Sequence, residues 1–415
     1  MPSASPPPPS HPPLRSSPVL RRALASWLWG AAVGAPTAFP LPADEAAWAD
    51  LPALAEGHGL AALVLAAAEK LAADAANAPP GRAAAVDLGL AALRDAAART
   101  LGRGARMLQD LRRAHAALVD DGLRPLWLKG AHLADEAVYQ PPEARPLAAL
   151  ALYLDPAGQA AAEACLTRLG YRPGLRSWKH HLWRNPGCRV VDLRGEHADN
   201  PRPIELHFWL GEDFRGIRLG MDPAWAARES GAGGSRLKPE AAMAHLAAHT
   251  TVNLLERRLR LVQLLDLLRL GAGLDAAAWR GLEAFSVQPG NARFLWPSLA
   301  LLERIRPGAV PGATLDALEQ RCNPTLRLWL REQPLDSLTW QGRALARRAF
   351  LELPRLWPLD WRERSRYWQV VLLPGPARLA DRYPELAQRG RPDLMLLAHL
   401  GYSLRLIRRR WRQRG

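Results

Sequence analysis

Apolar residues recur along this chain at two different intervals, and the point where the interval changes is the most informative feature of the sequence. Between residues 83 and 121, Leu88, Leu90, Leu93, Leu101, Met107, Leu108, Leu111 and Leu118 return every three or four positions or multiples of that step. That spacing predicts a long helix with one broad apolar face. Gly102 or Gly104 is expected to interrupt it, and Asp120-Asp121-Gly122 to end it. Shorter helices are expected before it, over 18–33, from Asp44 to His58, and over 60–74.

After residue 122 the interval drops to two. Arg124–Leu128 reads as a buried strand, Gly130–Tyr139 as a helix, 140–144 as a loop and Leu147–Leu154 as a second strand. Asp155-Pro156 caps a helix running to about Leu169, and residues 170–174 turn. Strands follow at 178–184 and 188–194, joined by Asn185-Pro186-Gly187, and another at 203–210. Beyond a glycine-rich loop at 231–234 the helical interval returns, with helices at 239–256, 258–271 and 275–286 and an amphipathic helix at 391–413. Strands and helices in this order predict an α+β protein. It divides into a Pro/Ser-rich tail (1–17), an N-terminal helical region (18–121), a mixed-sheet core (122–215) and a C-terminal helical region (236–415).

Composition changes this picture little. The 415 residues allow ample core. Residues 1–17 are expected to be disordered. Net charge is +15, almost all from arginine, since lysine occurs only at 70, 129, 179 and 238. A basic surface favours anionic and phosphorylated ligands. Cys165, Cys188 and Cys322 are odd in number and far apart, so no disulfide framework or CxxC site is implied, which fits a cytoplasmic protein. No run of about 18 uninterrupted apolar residues predicts a membrane span.

The candidate chemistry sits where the interval changes. Leu126-Trp-Leu-Lys129-Gly130-Ala runs from a strand through a glycine into a helix, an arrangement that can present backbone N–H groups to a phosphate. Arg145-Pro-Leu-Ala-Ala-Leu-Ala-Leu-Tyr-Leu follows, then Leu169-Gly-Tyr171, then Ile204-Glu-Leu-His-Phe-Trp209. In order and spacing these resemble a bacterial family of uncharacterised nucleotidyltransferases in the DNA polymerase β-like superfamily. That family reads LLLKG, then R-P-x-x-D-I-D-L-L-V, then Gly-Tyr, then (D/E)-L-H-W. The likeness continues in Ala55-Glu-Gly-His58-Gly-Leu, in residues 259–270 and in Leu373-Pro-Gly to Tyr383, and covers about 18–410.

The resemblance implies a nucleotidyltransferase-like mixed sheet and transfer of a nucleoside monophosphate from an NTP to an acceptor. Two Mg²⁺ ions held by three carboxylates would assist the reaction. Lys129 and Gly130 are candidates for phosphate contact, or else a strand-to-helix turn that needs a small residue, and Arg145 is a candidate for contact with a nucleotide's triphosphate or for a structural arginine bonding loop carbonyls. Glu205 becomes the third carboxylate and a remnant metal ligand, with His207 beside it as a general base pair or as scaffolding.

Aligned on Arg145, the family's two aspartates fall on Ala149 and Ala151. Strand alternation puts 147, 149, 151 and 153 on one face, toward the cleft, and Leu150, Leu152 and Leu154 on the other, toward the core. Alanine cannot hold Mg²⁺, so the alignment implies lost or weakened metal-dependent catalysis. Two alternatives stay open. One is an active enzyme that supplements Glu205 with a carboxylate from elsewhere. The other is a basic adaptor whose Arg405, Arg408, Arg409, Arg410, Arg412 and Arg414 meet nucleic acid or an anionic membrane surface. His245 and His249 lie one helical turn apart, but Leu246 replaces the glutamate of H-E-x-x-H, so helix packing is expected of them. Asp266, in an apolar helix, is expected to have a buried partner, with Arg260, Arg269 or a histidine as candidates.

Overall fold

A computed structural model describes residues 17–35, 45–74, 80–136, 138–176, 180–185, 197, 200–229, 235–256, 258–333 and 356–411. The expected tail up to residue 16, the strand at 188–194, Cys188, Arg412 and Arg414 lie outside the described residues, as do the side chains of Arg408, Arg409 and Arg410.

The protein is α+β. Among the described residues, nine short strands form between two helical regions: β1 (Leu126–Trp127), β2 (Leu150–Tyr153), β3 (Arg172–Arg176), β4 (His180–Arg184), β5 (Ile204–His207), β6 (Gly211–Phe214), β7 (Ile217–Gly220), β8 (Ala227–Glu229) and β9 (Ser235–Leu237). Seven make one mixed sheet in the order β3-β4-β5-β2-β1-β9-β8, and β6 and β7 form a separate hairpin. β2 runs parallel to β5, while β1–β2 and β4–β5 are antiparallel.

The leucines at 150, 152 and 154 decide how the sheet is covered. They are buried with Trp127, Ile204 and Leu206 against Met107, Leu108, Leu111 and Leu118 of the long helix and Ala162, Cys165 and Leu166 of helix Gln159–Arg168. The opposite face, with Leu126, Leu128, Ala151 and Tyr153, joins the larger core built from the other helices. Each fully buried leucine contributes about 2–3 kcal/mol by removal from water, so the sheet cannot be turned over.

Three expectations need correction. The long helix runs unbroken from Pro80 to Asp120. A Cβ on Gly104 would lie 2.7 Å from the Glu143 carbonyl oxygen; the glycine lets the segment before β2 cross the helix closely rather than ending it. Gly102 meets open space and costs the helix only about 1 kcal/mol relative to alanine. Second, β2 starts at Leu150, after a bend at 148–149, so Leu147 is buried with Leu150 and Leu152 rather than on the face of Ala151. Alternation by two holds only inside a strand, and it does not orient Ala149. Third, residues 172–176 form an edge strand where a turn was expected, paired to β4 with an irregular register.

Among the described residues no helix is long and apolar enough to cross a membrane. Cys165 and Cys322 are free and buried.

Candidate functional site

β1 delivers the chain to Leu128, and Lys129 then adopts a left-handed backbone with φ 53°. Few non-glycine residues adopt that region, and such strain often marks a functional turn. Helix Lys129–Asp135 follows directly. The lysine Nζ reaches across the sheet and donates to Glu205 Oε2 at 3.3 Å.

Glu205 lies on β5 between Ile204 and Leu206, which point into the core, so Glu205 and His207 share the other face. The parallel register pairs Ala151 with Glu205 and Tyr153 with His207. Ala151 is only 2% exposed. The antiparallel register on the other side pairs His180 with His207. His207 Nε2 lies 3.4 Å from Glu205 Oε2, and His180 Nε2 lies 3.8 Å from Glu205 Oε1. Burial pushes the Glu205 carboxyl up, but the Lys129 ammonium, the His207 hydrogen bond and charge on His180 more than offset it and hold Glu205 well below the usual carboxylate range.

Lys129, His180 and Glu205 open onto a cleft of about 750 Å³. Its other walls come from parts of the chain that sequence reading did not assign to the site. Glu212 and Asp213 lie on the β6–β7 hairpin, His249 on helix Pro239–Glu256 and Arg378 on helix Pro376–Arg382, and all four line the cleft. His249 Nδ1 pairs with Glu212 at 2.9 Å, and Arg378 donates to Asp213 at 2.8 Å. The hairpin did leave a signal. Arg215 and Gly216 take φ 56° and 86° at its tip, as a tight hairpin turn demands, and buried Ile217 and Leu219 alternate with exposed Arg218 and Gly220. His245 is buried and His249 faces the cleft.

The other candidates separate from this group. Arg145 does not line the cleft. It makes a two-point contact to buried Asp266, Nη2 to Oδ2 at 2.6 Å and Nε to Oδ1 at 3.2 Å, and Tyr139 donates to Oδ1 at 2.6 Å. Asp266 therefore has the buried partner expected of it, but the partner is Arg145. Gly130 is the seat for that arginine: a Cβ there would lie 2.2 Å from Arg145 Nη1. Gly130→Ala is expected to cost about 1–3 kcal/mol through overpacking, read as a lowered denaturant midpoint. An unchanged midpoint would mean that Arg145 can step aside.

A family model described as an uncharacterised nucleotidyltransferase matches residues 44–307, more than half of the chain. The chain belongs to that family. No curated protein and no solved structure matches it. The matched span includes the whole sheet, Lys129, Glu205 and the Glu212–His249 pair, while Arg378 comes from beyond it.

Mg²⁺ prefers a near-octahedral shell of oxygen ligands. Among the described residues, the one group of three Asp, Glu, His or Cys donors close enough to share an ion is His180, Glu205 and His207. It offers a single carboxylate, already engaged by Lys129. That donor set does not suit Mg²⁺.

Proposed function

We propose that this member of the nucleotidyltransferase family binds a nucleoside triphosphate, or another phosphorylated ligand, in the cleft above Glu205 and has lost the metal-dependent transfer reaction. The observation that carries the reading is the β2–β5 register. It puts Ala151 directly beside Glu205, where the resemblance would have a second metal-binding aspartate, and Lys129 supplies the positive charge at that carboxylate instead.

In this reading Lys129 holds Glu205 ionised in the free protein. When a phosphate enters, the ammonium turns to it, because charge-assisted contacts to phosphate are strong. His180 and His207 keep Glu205 anchored on β5. Arg145 stays in place, pinning the turn behind Lys129 rather than touching the ligand.

Calorimetric titration with ATP, GTP, CTP and UTP, with and without Mg²⁺, tests the binding half. Saturable binding that does not require Mg²⁺ is expected, weakened about tenfold by Lys129→Ala, or ~1.4 kcal/mol. Binding seen only with Mg²⁺ would contradict the proposal. Binding of none of the four would favour the basic adaptor.

A further inference from the structure

We propose that His180, Glu205 and His207 form a site for a borderline divalent transition metal, with Zn²⁺ the closest match. The three donors come from adjacent positions on β4 and β5. His180 and His207 are register partners across the antiparallel pair, and Glu205 precedes His207 by two residues on the same face. Their ligand atoms all lie within 4.8 Å of one another. The two rings sit 5.2 Å apart, tilted by 40°. Two imidazoles and one carboxylate are the protein ligands of a familiar open zinc site, which keeps its fourth position for water or a ligand oxygen. Imidazole also selects Zn²⁺, Co²⁺ or Ni²⁺ over Mg²⁺ and Ca²⁺.

The surroundings fit that role. β4 and β5 lie within the seven-stranded sheet, so the ligands stand on regular elements, which hold a site better than loops do. His207 is 1% exposed, while the side chains of His180 and Glu205 are 25% and 20% exposed and line the cleft. Two of the three donors therefore face the space that a ligand would enter. Zn²⁺ bonds of about 2.0–2.2 Å put tetrahedral ligand atoms roughly 3.3–3.5 Å apart. Glu205 Oε2 and His207 Nε2 already meet that spacing at 3.4 Å. His180 Nε2 stands 3.8 Å from the other carboxylate oxygen, Oε1, and has to move inward to join them.

Lys129 competes for the same carboxylate oxygen. A metal in the trio takes over the neutralisation of Glu205 and releases the ammonium into the cleft. Metal and phosphorylated ligand then assist each other. That coupling, unlike the metal site itself, rests on the ligand-binding reading above.

The test uses the full chain, stripped with a chelator and dialysed, and titrated with Zn²⁺ alone by calorimetry and with Co²⁺ by visible absorption. No nucleotide is present, so failure here leaves the nucleotide titration untouched. One equivalent of Zn²⁺ and a Co²⁺ d–d band of low coordination number are expected. His180→Ala, a change at the cleft edge, and Glu205→Gln should each weaken Zn²⁺ at least 10- to 100-fold. Lys129→Met should tighten it, because the competing charge is gone. Absence of saturable Zn²⁺ binding would overturn the proposal. So would Zn²⁺ binding unchanged in both His180→Ala and Glu205→Gln, which would place the ion elsewhere, or unchanged in Lys129→Met.

Discussion

Replacing Asp266 with alanine is expected to lower the unfolding free energy by about 3–5 kcal/mol, the usual cost of removing one member of a buried ion pair. Asp266 is 1% exposed, on helix Leu261–Ala272. It accepts two contacts from Arg145 and one from Tyr139. Arg269 lies over the Tyr139 ring at 4.4 Å. Burial first, and then the Asp266 charge, push the Tyr139 hydroxyl well above its ordinary value, so it stays protonated and donates. Without the carboxylate, the half-buried Arg145 guanidinium and the buried Tyr139 hydroxyl lose the acceptor they share. The effect reaches the site because Arg145 packs on Gly130, next to Lys129. Asp266→Asn keeps the shape and should lose less than Asp266→Ala. Denaturant unfolding of both variants measures the loss, and a loss below about 1 kcal/mol would show the pair to be solvated.

The second large effect is on pH. Burial, and then the nearby Arg260 charge, lower His58 from 6.5 to about 4. His58 ends helix Glu45–His58, and its Nδ1 accepts the Leu261 N–H at 3.4 Å. Arg260 donates to the carbonyls of Glu56 and Gly57 beside it, so the ring ties the N-terminal helices to the helix that carries Asp266. The folded state keeps His58 neutral down to about 4, whereas the unfolded chain takes up the proton near 6.5. Between those values the unfolded state binds more protons, so stability falls as pH falls. The contribution is whole above 6.5 and is lost by about 4, and the displacement corresponds to about 3 kcal/mol. His58→Phe should flatten the difference in stability between pH 7 and pH 4 by about that amount. An unchanged slope in the variant would assign the pH dependence to other groups.

Much of the core of the site was legible because strand alternation is a local property. Ile204-Glu-Leu-His207 announces one apolar and one polar face, and the structure buries Ile204 and Leu206 while Glu205 and His207 meet Lys129 and His180. The leucine face at 150, 152 and 154 was readable in the same way. The pattern failed at Leu147, because whether a strand has yet begun at 147 depends on the bend at 148–149. Arg145 could be placed in the right motif but not given its partner, since Asp266 lies 121 residues away. The cleft walls were the least legible part. Glu212, Asp213 and Arg378 carry no shared motif, and Arg378 meets Asp213 across 165 residues. His180 was inside an expected strand, but only its register opposite His207 makes it a third donor.

A transfer assay with α-phosphate-labelled NTPs, the full chain and Mg²⁺ or Mn²⁺, offered protein, nucleic-acid and small hydroxyl acceptors, tests the loss of catalysis most directly. No label transferred above background is expected under conditions where calorimetry detects nucleotide binding. Transfer that depends on Mg²⁺ or Mn²⁺ and disappears in Glu205→Ala would overturn that expectation, because the transfer reaction would then run at Glu205 with Ala151 in place of the second carboxylate.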